Sequence, residues 1–325
     1  MKTVSVIIPF YNAKRWILVG VLQDVYKQTF QDIELILIND GSKDNTERIL
    51  NKEVAEKEKV YTNISHIVIH KENEGIAKTR NLAIEKATGK YLMFLDQDDH
   101  IKADYIEQYV REIESKDWDI LIGGYQKVTE EGKIIKTFLF DSDDTWAKYQ
   151  FMAPWGKIYK TSYIKDYAIT FLDYRIGEDI YFNLCAYSKM RKIGVFSYVG
   201  YRWVQNGKSF SHTKQRDINN VDLSPLFAAI LQDANVEYLE EYLSYYFVRE
   251  LVFRIITVSR GCKKDEVIKY WRSQFQWLRE HYPNFEKKLK YPKTDLFTAK
   301  AAVLILLWID RLKLEKMFLA VYTKL

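Results

Sequence analysis

The stretch NEGIAKTRNLAIEKATGKYLMFLDQDD, residues 73–99, decides the fold. Its first half, residues 76–87, has the pattern of an amphipathic helix. Its second half, KYLMFLD at 90–96, is an apolar run that ends abruptly on acids, as a buried strand does when it reaches a sheet edge. Helix feeding directly into strand is the repeating unit of a parallel sheet with crossover helices. Upstream the same alternation recurs. VSVIIPF (Val4–Phe10), IELILIND (Ile33–Asp40) and ISHIVIH (64–70) read as strands, separated by helix candidates at 13–27 and 44–57. Near-continuous apolar strands suit a sheet covered on both faces, and ligands of such sheets bind beyond the C-terminal ends of the strands. Three of those ends are polar here: Pro9 to Asn12, then Asn39-Asp40-Gly41-Ser42, then Asp96-Gln97-Asp98-Asp99.

Downstream, residues 119–128 and 133–140 read as further strands, and a helix candidate starts at Glu178, so this region extends the sheet and supplies a second cleft wall. From about residue 217 the pattern turns helical, with aromatic runs such as YLEEYLSYYFVRELVF at 238–253. The apolar run AAVLILLWI at 301–309 is too short to cross a bilayer, which needs about 20 helical residues. It is either a buried helix or an interfacial one running on through Arg311, Lys313 and Lys316.

The chain has 325 residues, 47% of them apolar, enough for one large domain or two. Its two cysteines, Cys185 and Cys262, support neither a disulfide framework nor a thiolate zinc site and fit a reducing, cytoplasmic setting. No export signal is evident at the start. The net charge of +5 lies entirely in residues 213–325, with 19 Lys/Arg against 14 Asp/Glu. That excess is dispersed, so a solvated helical face and an anionic partner both remain open. Nucleic-acid binding is disfavoured, because residues 1–212 carry no net charge.

In extended chain, residues i and i+2 point the same way, so Asp96 and Asp98 can offer two carboxylates to one ligand. Hard oxygen donors suit Mg²⁺ or Mn²⁺ shared with substrate phosphates, and such a cation offsets charge on a departing diphosphate. The plainer reading is a turn or a helix cap ahead of IKADYIEQYV. Asp40 can accept hydrogen bonds from a nucleobase or ribose, while Ser42 and Asp44 suit capping. Gly75 precedes a helix whose first turns carry Lys78 and Arg80, a setting able to meet an anion. Glu178 and Asp179 open a helix, which complements its macrodipole, or else one of them is a general base. His212, in NGKSFSH, is either a surface residue or a nitrogen ligand to the metal.

Taken in order, VSVIIPFYN, INDGSKDNT, NEGIAKTRNLAIEKATGKYLMFLDQDD, PWGKIYK and GEDIYFN resemble the family 2 glycosyltransferases. The resemblance covers about residues 1–212. It implies the GT-A fold, a Rossmann-like α/β nucleotide-sugar-binding sandwich with a mostly parallel central sheet, here followed by a helical C-terminal region at 213–325. It further implies that Pro9, Tyr11 and Asp40 line the base pocket, that Arg80 lies near the base and diphosphate with Lys78 also among the donor-binding residues, that Asp96 lies near the ribose, and that Asp98 holds Mn²⁺ or Mg²⁺. Asp179 would be the catalytic base, with Glu178 beside it, in a single inverting displacement. The expected reaction moves a hexose-type sugar from a nucleotide-diphosphate donor, a UDP-sugar, to a hydroxyl of a lipid-linked or protein-linked glycan in surface polysaccharide or glycoprotein synthesis. Two positions depart from the family pattern. Gln97 stands where a small residue is usual and is expected to matter little, and Gly156 stands where Asn is common. The competing classes are a sugar nucleotidyltransferase, which lacks its Gly-rich phosphate loop here, and a non-catalytic carbohydrate or membrane-binding module. The C-terminal region is expected to bind acceptor, form a homo-oligomer, or touch the inner face of the membrane.

Overall fold

The apolar runs become strands at the expected places in the computed structural model, which describes residues 2–174, 176–189, 192–205, 218, 222–239, 241–259 and 261–322. β1 (Val4–Phe10), β2 (Ile33–Asp40), β3 (Ile64–Lys71) and β4 (Tyr91–Phe94) alternate with α1 (Arg15–Tyr26), α2 (Thr46–Lys57) and α3 (Ile76–Lys86). They are followed by β5 (His100–Ile101), α4 (Tyr105–Ser115), β6 (Ile120–Thr129), β7 (Ile134–Phe138), α5 (Ala147–Gln150), β8 (Lys157–Lys160), α6 (Thr161–Asp166), α7 (Glu178–Ser188) and β9 (Ile193–Gln205). The remaining helices are α8 (Ser224–Asp233), α9 (Val236–Leu239), α10 (Leu243–Val258), α11 (Lys264–His281), α12 (Phe297–Arg311) and α13 (Glu315–Tyr322).

The strands form one sheet in the order β3-β2-β1-β4-β8-β6-β9-β5, with β7 paired to β6. β3, β2, β1 and β4 run parallel, which forces their C-terminal ends onto one edge. Every residue of β1, β2 and β4 is buried, as expected for strands covered on both faces. Beyond β4 the direction changes, since β8 is antiparallel to both β4 and β6, while β9 runs parallel to β6.

The chain divides into two units. The first comprises Met1–Lys148, Met152–Asp173 and Met190–Asn206 and holds the sheet. The second comprises Tyr149–Phe151, Tyr174–Lys189 and Gly207–Leu325, so α7 groups with the C-terminal helices. Within this second unit α7 is buried along most of its length. Its N-cap is Gly177, whose left-handed φ of 78° no side chain would favour, and a Cβ there would collide with Leu226 of α8. Tyr181 on α7 donates to Asp233 at 2.6 Å. No helix among the described residues is long and apolar enough to cross a membrane.

β9 is the longest strand that sequence pattern misses, beside the short β5 and β8. Its 13 residues lack clean alternation, and its pairing with β6 shifts register at Gly123-Gly124-Tyr125, so no single face repeats every two residues.

Inside the sheet, β1 and β2 enclose Glu34. Its carboxylate accepts hydrogen bonds from Ser5 Oγ at 2.6 Å, Thr88 N–H at 2.8 Å and Thr88 Oγ1 at 2.5 Å, joining two strands to the turn that precedes β4. Burial pushes this carboxyl up, but the Ser5 and Thr88 hydrogen bonds outweigh it and hold the group below its ordinary value. Glu34→Ala should therefore lower stability by about 2–3 kcal/mol in urea denaturation, because three donors lose a charged acceptor. A carboxyl depressed by folding stabilises fully above its unfolded pKa and less as pH falls through the folded one. The gap between wild type and variant should accordingly narrow in acid, and a gap independent of pH would refute this account.

Candidate functional site

Pro9, Tyr11, Asp40, Arg80, Asp96 and Asp98 all come together at the C-terminal edge of the parallel strands. Pro9 is buried in β1, and Tyr11, just past its end, leaves 46% of its surface exposed. Asn12, with a left-handed φ of 47°, turns the chain away. Its amide donates to Ser42 Oγ at 2.9 Å, and its side-chain oxygen accepts from the amide of Lys43 at 2.9 Å. The ends of β1 and β2 are thereby tied to each other.

Asp40 is buried, and its carboxylate accepts from Lys71 Nζ at 2.5 Å, Glu74 N–H at 3.0 Å, Gly75 N–H at 2.9 Å and Asn73 Nδ2 at 3.3 Å. Gly75 is the N-cap of α3. The anion that this helix N-terminus meets is thus the chain's own Asp40. Burial alone would raise the Asp40 carboxyl, yet Lys71 and the Glu74 amide bring it below the ordinary carboxylate range. Lys71 is correspondingly raised: burial opposes its charge, but Asp40 and Glu74 outweigh that.

Arg80, one turn into α3, is almost fully buried. Its Nη2 donates to Asp96 Oδ1 at 2.9 Å, and its guanidinium lies 5.2 Å from the ring centre of Phe171. Asn81 holds Phe171 in place through hydrogen bonds to its backbone N–H and C=O, at 2.7 Å and 2.9 Å. Lys78 stays half-exposed and pairs with Asp173 at 3.3 Å.

The acidic triplet differs from the sequence expectation in one respect. β4 stops at Phe94, and Asp96 to Asp99 form a turn closed by Asp99 N–H donating to Asp96 C=O at 3.2 Å. The alternation of extended chain therefore does not govern Asp96 and Asp98. Asp96 pairs with Arg80, whereas Asp98, half-buried, stands at the centre of the turn. Gln97 also does more than expected. Its Oε1 accepts from the Tyr11 amide at 3.0 Å and its Nε2 donates to the Tyr11 carbonyl at 3.3 Å, so it fastens the end of β1 to the turn. A small residue here could not reach.

Sequence reasoning missed the support under this turn. Asp99 is fully enclosed, accepting from Tyr201 Oη at 2.7 Å and from Val204 N–H at 2.9 Å, both on β9. Tyr201 Oη in turn accepts from the Asp96 amide at 3.3 Å, and its ring stacks on Trp155 with centroids 4.3 Å apart. Burial pushes the Asp99 carboxyl well up, and the negative charges of Asp98 and Asp96 add to this. Gly156, beside Trp155 in PWGKIYK, has φ of 68°. Asn is the side-chain-bearing residue that best tolerates this left-handed region, which explains why glycine can replace it.

Glu178 and Asp179 occupy the first turn of α7 in the second unit, and both are half-buried. Gly177, not either acid, holds the cap position. His212 lies outside the described residues. Among the described residues, no group of three or more His, Cys, Asp or Glu side chains is arranged to hold a metal.

A sheet of this topology, with polar residues gathered at the edge of its parallel half, defines a nucleotide-sugar-binding fold of the GT-A type, and solved structures agree. The chain superposes on S. aureus TarS 1-349 in complex with UDP-GlcNAc with a TM-score of 0.61 at 19% identity, covering 89% of this chain and 93% of that one. It superposes on the mannosyltransferase PcManGT from Pyrobaculum calidifontis, in complex with GDP-Man and Mn²⁺, with a TM-score of 0.55 at 13% identity over 95% and 87% of the two chains. Residues 5–176 match Glycosyl transferase family 2, and the chain belongs to that family. Among its relatives, the putative glycosyltransferase EpsH of Bacillus subtilis is 28% identical over 94% of this chain and 90% of its own length. Glycosyltransferase GlyG of Streptococcus pneumoniae is 36% identical over 40% of this chain, an alignment that spans only 41% of GlyG.

Gly41 gives the site a direct mechanical test. Its φ is +64°, and a Cβ would press into the backbone of Asn73, whose side-chain amide donates to Asp40. Gly132, with φ of +82°, has nothing near its missing Cβ. Both alanine variants should incur the backbone cost of about 1 kcal/mol, and Gly41→Ala should lose at least about 1 kcal/mol more through the collision. Equal melting temperatures for the two variants would show that the Asn73 contact is slack.

Proposed function

We propose that the chain is an inverting hexosyltransferase that moves a sugar from a UDP-linked donor to a hydroxyl of a glycan acceptor, with the help of a divalent cation. One observation carries the reading. A half-exposed aromatic (Tyr11), a caged acid (Asp40), a buried Arg80 paired with the half-buried Asp96, and the acidic turn at Asp98 converge on one sheet edge. Base, ribose, diphosphate and cation need these kinds of partner. Tyr11 offers a face for the base above Pro9. Asp40 acts by fixing the loop at 71–75 as the pocket floor, Asp96 faces the ribose, and Arg80 with Lys78 meets the diphosphate. Support for the donor class comes from fold relatives whose complexes contain UDP-GlcNAc, UDP, or GDP-Man with Mn²⁺.

The donor set fits a hard cation. Asp98, half-buried at the centre of the turn, supplies carboxylate oxygens, with the carboxylate of Asp96 two residues away on the same turn. Mn²⁺ or Mg²⁺ is commonly held by one or two carboxylates completed by substrate phosphates, and His212 would add a nitrogen ligand. When bound, such a cation offsets the charge building on the leaving diphosphate.

The transfer itself needs a base. The acceptor oxygen attacks the anomeric carbon while the bond from that carbon to the diphosphate oxygen breaks, and the acceptor proton passes to Asp179, with Glu178 beside it. Family membership and the acidic edge favour this reading over a nucleotidyltransferase or a binding module. The acceptor class we infer is a growing surface polysaccharide or a glycoprotein glycan.

Asp98→Ala should abolish Mn²⁺-dependent release of UDP and sugar transfer while leaving the melting temperature nearly unchanged. Undiminished turnover in that variant, or in excess chelator, would end the metal assignment. Asp179→Asn should lower kcat by about a hundredfold or more with little change in donor KM. If Glu178→Gln loses the rate instead, Glu178 is the base; if both variants keep it, the two acids serve only the helix.

A further inference from the structure

Helix α12 (Phe297–Arg311) is apolar on two sides, and only one of them is used by the fold. Val303, Leu306 and Leu307 are buried and face the second unit's core, with Asp310 on the same side. Phe297, Leu304, Ile305 and Trp308 lie on the opposite side, with Leu312 just past the helix end continuing their line. Spacings of seven, one, three and four residues confine them to one stripe on a 3.6-residue helix. The stripe is exposed: Phe297 leaves 82% of its surface uncovered, Trp308 53% and Leu312 58%. Met317 and Val321 on α13 (Glu315–Tyr322) are exposed as well, each at 61%. Scattered single apolar residues need no explanation, but a continuous stripe of this size does.

The charges around the stripe identify what covers it. Three acids occur between residues 290 and 322, namely Asp295, Asp310 and Glu315, and all three are buried. Each is answered from inside the unit. Asp295 accepts from Arg249 and Tyr245, Asp310 from Arg279 and Trp271, and Glu315 from Arg272. The bases over the same span point outward. Lys293, Arg311, Lys313 and Lys316 are exposed, and Lys300 is half-exposed, its Nζ reaching the Pro292 and Lys293 carbonyls. Arg311 lies 5.8 Å from the Trp308 ring and pairs with Glu286. The span thus exposes an apolar stripe together with four lysines and an Arg311 answered by Glu286, while its own three acids are withdrawn into the core.

From this separation we infer that the α12–α13 face docks on an anionic lipid bilayer surface, lying in the interface without crossing it. Leucine, isoleucine and tryptophan would enter the headgroup boundary while the lysines meet lipid phosphates. A second copy of the chain fits less well. A two-fold contact sets a patch against itself and would bring its lysines onto lysines.

The test uses the full chain and vesicles of phosphatidylcholine, with or without about one-third phosphatidylglycerol. The protein should co-sediment with the anionic vesicles, much less with neutral ones, and less again as salt rises. Leu304→Ser combined with Trp308→Ser should reduce partitioning about tenfold or more, since two anchors are lost. Lys313→Glu with Lys316→Glu should reduce it similarly on anionic vesicles alone. All four positions are exposed, so melting temperature and donor hydrolysis should be unchanged, which separates this inference from the assignment of the transfer site. Failure to bind anionic vesicles at low salt, or equal binding by the serine variant, overturns it. A wild-type dimer that the serine variant converts to monomer, without vesicle binding, would assign the face to self-association instead.

Discussion

A carboxylate taken out of water must be given donors by the chain around it, and Asp40 receives them from Lys71, Asn73 and the amides of Glu74 and Gly75. Much of the edge follows from that one requirement. The amides belong to the entry of α3, so the acid at the end of β2 fixes where that helix begins and hence where Arg80 lies one turn later. Arg80, buried in its turn, needs an anion and finds it in Asp96 at the end of β4. Two charges that the fold has to satisfy thus connect β2, α3 and β4, and the Gln97 contacts add β1 to the same frame. The edge is thus held together by the chain's own contacts.

This arrangement was only partly legible in the sequence. β1 and β2 come out at the predicted bounds because an unbroken apolar run between polar turns has few other uses in a chain of this size. Gly75 and Glu178 are likewise visible as helix starts, since glycine and first-turn acids carry their own local logic. The acidic turn is legible as chemistry but not as geometry. Whether Asp96 to Asp98 is extended or turned depends on Asp99, and Asp99 is held by Tyr201 and Val204, over 100 residues away on a strand with irregular register. The role of Gln97 is not legible either, because an extended reading turns its side chain away from those of Asp96 and Asp98. Its partner is a main-chain group, which leaves no residue-type signature.

The C-terminal region shows the opposite balance, with composition informative and position silent. Its charge excess is plain from counting, but counting cannot reveal that the acids turn inward and the bases outward. That sorting comes from arginines on α10 and α11, whose planar forks can answer buried carboxylates in pairs. Lysines, being compact and strongly hydrated, are left for the surface.

The way the second unit is assembled constrains how such a protein can vary. Its residues arrive in three instalments, Tyr149–Phe151, Tyr174–Lys189 and Gly207–Leu325, interleaved with segments of the first unit. The piece bearing Glu178 and Asp179 is among them, packed through Gly177 on Leu226 and through Tyr181 on Asp233. A recombination crossover placed near residue 212 would exchange the terminal helices but leave α7 behind, facing a new neighbour with the wrong shape. A chimaera that exchanges the tail must therefore carry residues 174–189 along with it if the Gly177–Leu226 packing and the Tyr181–Asp233 hydrogen bond are to be kept.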